Sequence, residues 1–161
     1  MIWEAISIAE LSEFLILRRD KGAKKQGYTT NSYLAVLHDG LLPIYRQDMI
    51  YQQDGAPTHT ARRTIKFFEQ HAIVWLRDWP AYSPDLNPIE HVWPLLKEKV
   101  YELYPDIELW RGTESQISER MEDVLVHAWD SIRLEIATNC VASMPERIEA
   151  VLRAKGWYTR Y

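Results

Sequence analysis

An aspartate and a glutamate stand where apolar runs give way to polar ones. Asp54 closes the apolar part of IYQQDGAPTHTARR (residues 50–63), and Glu90 follows a proline in SPDLNPIEHVW (residues 83–93). Two carboxylates held ~4 Å apart repel by about 4 kcal/mol at an effective dielectric near 20, so two acids that share a site make sense around a cation. Each also has a local explanation. Asp54-Gly55 is a turn sequence that can end a strand. Asn87 can cap a helix, Pro88 suits its first position, and Glu90 is then the third-position glutamate of a capping box. The choice between one site and two surface residues depends on the elements that carry them.

DMIYQQ reads as a short strand ending at Asp54. A hairpin would need a second strand at once; instead Ala61, Ile65, Phe68 and Ala72 recur at helical spacing. AIVWL is a continuous apolar run of the kind buried on both faces of a sheet. The loop RDWPAYSPDLNP follows, then a helix with Ile89, Val92, Trp93, Leu96, Val100 and Leu103 on one face. Strand–helix–strand units are right-handed and make their strands parallel. Both carboxyl ends then lie on one sheet edge, where open α/β sheets place their ligands. The topology therefore predicts that Asp54 and Glu90 meet at one edge.

The flanking chain completes the outline. MIWEAIS and EFLIL read as two antiparallel strands, followed by the charged loop RRDKGAKKQG. Thr30 or Asn31 can cap a helix carrying Tyr33, Leu37, Leu41 and Ile44, weakened near its end by Gly40 and Pro43. From Thr113 onward the pattern is helical, with a break at Pro145 and a last helix stopped by Gly156. Trp3, Trp75 and Trp93 fit apolar faces and read as core.

A chain of 161 residues with 47% hydrophobic and 26% charged residues has the composition of one globular domain and excludes wholesale disorder. No apolar run approaches the ~18 residues of a membrane span, and the N-terminus lacks the basic region of a secretory signal. The single Cys140 allows no internal disulfide and no Cys/His zinc spacing. A net charge of −4 argues against a stand-alone DNA-binding module, because such binding is mostly phosphate neutralisation. Basic residues do cluster, at Arg18, Arg19, Lys21, Lys24 and Lys25 and again at Arg62, Arg63 and Lys66; by themselves these read as solvated surface.

QQDGAPTHTA and WPAYSPDLNPIEHVWPLLK resemble the segments around the second and third catalytic carboxylates of Tc/mariner-type transposases, members of the DDE superfamily of endonucleases. IWEAIS resembles the strand before them, with Glu4 where the family usually has glycine, and SMPERIEAVLRAKGWYTRY resembles the family's closing stretch. The resemblance implies an α/β fold of the ribonuclease H-like kind, a mixed sheet flanked by helices. It implies DNA phosphodiester cleavage and strand transfer at transposon ends with Mg²⁺ or Mn²⁺, in the nucleus, by chains that can self-associate and do not enter membranes. Carried over by position, Asp54 and Glu90 become the catalytic metal ligands. His59, Arg62, Arg63, Asn87 and Lys97 become candidates to touch DNA, and His59 and His91 are read as supporting the site rather than binding metal.

The family uses three acids, and the first lies on a strand upstream of the IWEAIS segment. None of Glu4, Glu10 and Glu13 stands at its position. Residues 1–161 are thus expected to form a single DDE domain that lacks the first strand, its aspartate and the helix-turn-helix DNA-binding region, and to be inactive alone. The rival expectations are a catalytically dead remnant that only binds nucleic acid or related chains, and an unrelated α/β interaction domain. One departure bears on the site itself. Pro94 has no N–H to give the Glu90 carbonyl, which predicts a kink or loosened turn where the carboxylate projects.

Overall fold

A computed structural model describes residues 1–24, 26–80 and 83–161. Its starting unit is the expected hairpin: β1 (Ile2–Trp3) pairs antiparallel with β2 (Leu15–Ile16), Ile2 opposite Ile16 and Trp3 opposite Leu15. Side chains alternate across a strand, so the hairpin feeds two cores. Trp3, Leu15 and Leu17 pack with Tyr33 and Val36 of α1 (Thr30–Val36) and with Phe67 and Phe68. Ile2 and Phe14 face the other way.

α1 is capped by Thr29, one residue before the expected cap, and runs into a π-helical turn (Leu37–Leu41) and the short α2 (Leu42–Ile44). Gly40 is there for space. A Cβ on it would collide with the Trp3 ring and with Leu15 Cδ1. Gly40→Ala is therefore expected to destabilise the fold by about 1–3 kcal/mol, the usual range for overpacking; an unchanged urea midpoint would show that the hairpin can retreat from the turn.

The expected strand–helix–strand order is present, and its strands are parallel. Tyr51 bridges Trp75, its N–H donating to Val74 O at 2.8 Å and its carbonyl accepting from Leu76 N at 2.9 Å. The expected mixed sheet, however, is reduced among the described residues to the two-stranded hairpin, an antiparallel bridge of Ile6 to Leu11 and this one parallel bridge. AIVWL is not buried on both faces: Ile73 is inside, but Val74 and Leu76 are 51% and 39% exposed.

The intervening helix α3 (Arg62–Gln70) also turns a different face inward. Thr64, Phe67 and Phe68 are buried, whereas Ala72 lies beyond the helix at φ 53°. Thr64 is accommodated because its hydroxyl donates to Thr58 O at 2.6 Å, which satisfies the polar group that burial would otherwise penalise.

The long amphipathic helix expected from Ile89 is split. Pro88–His91 is a 3-10 turn, and α4 begins only at Val92 and ends at Leu103. Pro94 falls in the first turn of α4, where backbone N–H groups have no intrahelical acceptor anyway. The loosened turn expected around Glu90 is this junction.

α5 (Glu114–Asp130) starts from a Thr113/Gln116 capping box, and its Val124, Ala128 and Trp129 join Val92, Leu96 and Val100 in the second core, under Ile2 and Phe14. Trp129 Nε1 donates to Ser12 O at 2.9 Å and so fastens α5 to the hairpin. The helical stretch after Thr113 breaks at Ser131–Arg133, earlier than expected, and resumes as α6 (Leu134–Ala142). The break expected at Pro145 falls at Ser143, and Pro145 sits in the first turn of the new last helix, α7 (Met144–Arg153), a position that needs no N–H donor. α6 packs on the Pro88–His91 turn and α7 on the Pro84–Leu86 turn, so the loop that carries Glu90 is held from behind by the C-terminal helices. Among the described residues, no helix is long and apolar enough to cross a membrane.

Candidate active site

Asp54 follows the bridged Tyr51 by three residues and is exposed. Its Oδ1 accepts from Ala56 N at 2.9 Å, the local turn bond expected of Asp-Gly. The same oxygen lies 2.6 Å from His59 Nδ1. That nitrogen is buried and is not aligned for a hydrogen bond, so the contact is one of proximity. The imidazole is fixed from its face by the Tyr33 ring, at 4.2 Å between centroids.

Successive residues of an extended segment point to opposite sides, and Gln53 and Gln52 use this. Gln53 Nε2 donates to His59 O at 3.1 Å, and Gln53 Oε1 accepts from the Tyr33 hydroxyl. Tyr33 thereby has its proton committed, so the Tyr51 hydroxyl, 3.2 Å away, donates to Tyr33. Burial pushes both phenols up, Tyr51 to about 12, and both therefore stay protonated donors.

Gln52 goes the other way. Its Nε2 donates to Leu86 O at 2.9 Å and to Asn87 Oδ1 at 3.4 Å, and Asn87 Nδ2 donates to Glu90 Oε1 at 3.3 Å. A side-chain relay thus runs from the Asp54 segment to the Glu90 carboxylate. Asn87 does start the 3-10 turn, but its amide makes no cap bond and is spent on this relay. Glu90 is exposed, and its backbone N–H returns to Asn87 O at 3.1 Å. Asn87, which bonds Glu90, is thus reached from the segment that also carries Asp54. Both acids are hard oxygen donors on the surface, which suits Mg²⁺ or Mn²⁺. Among the described residues, no group of three His, Cys, Asp or Glu is gathered for a metal.

The remaining candidates separate. Arg62 and Arg63 are exposed in the first turn of α3, but Arg63 is already bonded to Asn31 Oδ1. Lys97 lines an apolar groove of about 450 Å³ with Ile2, Trp93 and Tyr101, beside the second core. His91 faces inward: its Nε2 is 2.6 Å from Arg147 NH1, and burial, then the Arg147 charge, hold it below the usual imidazole range. It is a neutral acceptor. Arg147 is the residue that sequence reasoning missed. It is 3% exposed, donates to Ser143 Oγ and to Asp85 O as well as to His91, and lies over the Tyr161 ring. An arginine in an amphipathic last helix gives no local sign of this, because its partners come from a distant loop and from the chain's end. Gln52 and Gln53 had a readable signal: paired amides beside a strand-end aspartate, pointing to opposite faces.

Comparison with known proteins bears on this arrangement. The DDE superfamily endonuclease family matches residues 23–108. The Tc1 transposase of Caenorhabditis elegans is 29% identical over 161 residues, which is 54% of that protein. The Tcb2 transposase of Caenorhabditis briggsae is 34% identical over 133 residues, 80% of this chain and 45% of that protein. The chain thus spans about half the length of the curated relatives it matches. In fold it is similar to the crystal structure of the catalytic domain of the Mos1 mariner transposase, with a TM-score of 0.51 and 22% identity over 81% of this chain and 59% of that one.

Proposed function

Because the chain belongs to the DDE superfamily endonucleases, we propose that Asp54 and Glu90 are two of the carboxylates with which such a domain cuts DNA phosphodiesters. The observation that carries the reading is the Gln52–Asn87–Glu90 relay, which ties the third-carboxylate loop to the strand segment ending at Asp54. Mg²⁺ or Mn²⁺, when bound there, supplies charge stabilisation at the phosphate and an activated water. The protein's own part is positioning. Ala56 N–H and His59 hold Asp54, and Gln52 acting through Asn87 holds Glu90. His59, Arg62, Arg63, Asn87 and Lys97 are the proposed DNA contacts. Of these, Arg62 is the exposed cation beside the Asp54 loop, and Arg63 must release Asn31 first. Transposon ends as the DNA, self-association and a nuclear site of action complete the proposal.

The lack of a third gathered acid supports a second reading for residues 1–161 by themselves: a domain that binds nucleic acid or related transposase chains without cutting. Both readings are tested first by metal binding. Mn²⁺ titrated by electron paramagnetic resonance is expected to show one weak ion per chain, lost in Asp54→Asn and in Glu90→Gln. Gln52→Ala is expected to weaken it several-fold by freeing Asn87. Binding that survives Asp54→Asn overturns the site assignment.

A further inference from the structure

We propose that the C-terminal tail is a stacking platform for unpaired DNA bases beside the Glu90 loop. From Ala150 to Tyr161 the chain carries Arg153, Lys155 and Arg160 with Trp157, Tyr158 and Tyr161, and no acid. This stands out in a chain whose net charge is −4. α7 ends because Lys155 and Gly156 take φ 52° and 79°, with Gly156 N–H returning to Val151 O at 2.9 Å. The tail then folds back and is anchored twice. The Thr159 hydroxyl donates to Asp85 Oδ2 at 3.0 Å, and Tyr161 lies under Arg147 with its hydroxyl donating to Glu146 Oε2 at 3.2 Å.

Just before those anchors, Trp157 and Tyr158 stand 73% and 87% exposed, edge to face at 5.4 Å. Two large aromatic rings on a pinned backbone, flanked by cations, match what a single strand needs: a flat face for each base and positive charge for its phosphates. The anchors also fix the location. Asp85 holds Thr159 through its side chain and Arg147 through its carbonyl, and Arg147 holds His91, the neighbour of Glu90. A strand lying on the platform therefore runs toward the Glu90 turn. Naming that strand as DNA rests on the endonuclease reading.

The test is fluorescence anisotropy of labelled single-stranded oligothymidylate with the full chain. Trp157→Ala and Tyr158→Ala are each expected to weaken binding at least fivefold, with thermal midpoints unchanged because both rings are exposed. Lys155→Ala should reduce the slope of log affinity against log salt by about 0.7. Duplex of the same length should bind more weakly and ignore Trp157→Ala, since paired bases offer no free face. Unchanged affinity in both aromatic variants overturns the proposal, as does equal loss for duplex. A concentration-dependent dimer abolished by Trp157→Ala would overturn it in favour of a second copy as occupant. If Mn²⁺ ignores Asp54 while strand binding still depends on Trp157, the endonuclease reading falls and the platform stands.

Discussion

Residues 1–161 incubated with supercoiled plasmid and Mn²⁺ are expected to leave it uncut. The reason is the count of ligands. Asp54 and Glu90 are the two acids proposed as ligands, and among the described residues no group of three His, Cys, Asp or Glu is gathered for a metal. Mg²⁺ and Mn²⁺ keep much of their water, so two carboxylates can retain one ion at modest affinity. In-line displacement at phosphorus is served by two ions that stabilise the attacking and leaving oxygens together. Forgoing one such contribution costs several kcal/mol, and each 1.4 kcal/mol is about tenfold in rate, so a loss of two to four orders of magnitude is expected. Joining a strand that bears a further aspartate ahead of residue 1 should confer metal-dependent nicking. In that longer chain Asp54→Ala or Glu90→Ala should abolish it, and Gln52→Ala should reduce it about tenfold. Robust nicking by residues 1–161, lost in Asp54→Ala, would mean that another group serves as the third ligand.

The elements that carry Asp54 and Glu90 were legible in part because their signals are local. An apolar run that stops at an acid, a helix period and a second apolar run dictate a parallel pairing, and Tyr51 does pair parallel with Trp75. The extent of that pairing was not legible. How many residues a strand contributes depends on its neighbours in the sheet, which no window of sequence contains. The face of α3 was misjudged for a related reason: apolar spacing favours Ala61 and Ala72, but Thr64 can be buried once Thr58 O accepts its proton. The split at Val92 was half legible. Pro94 announced a weak turn, while the packing of α6 on the Pro88–His91 3-10 turn comes from a segment more than forty residues on. Arg147 lay beyond reach, since a buried cation is specified by partners from other segments.

Replacing Glu4 by Gln is expected to stabilise the protein by a few kcal/mol at pH 8 and to change little at pH 5. Glu4 lies on the hairpin face that meets α5, is 7% exposed, and accepts from Leu15 N at 3.2 Å and from Ser12 Oγ at 3.3 Å. Burial raises its pKa from 4.5 to about 9, against the pull of those two bonds, and the Asp130 charge adds to the rise. The folded chain therefore holds a proton that the unfolded chain gives up near pH 4.5. Below that pH both states are protonated and stability is at its full value. As pH climbs toward the folded pKa, stability falls by about 1.4 kcal/mol per unit, on the order of 4 kcal/mol between pH 5 and pH 8. A glutamine keeps an acceptor oxygen for Leu15 and cannot ionise, so its stability should not carry this slope. Urea unfolding of both chains at the two pH values isolates Glu4, because every other titrating group is common to them. Parallel pH dependence in the two chains would show that the Glu4 carboxylate reaches water when it ionises and that the hairpin opens to admit it.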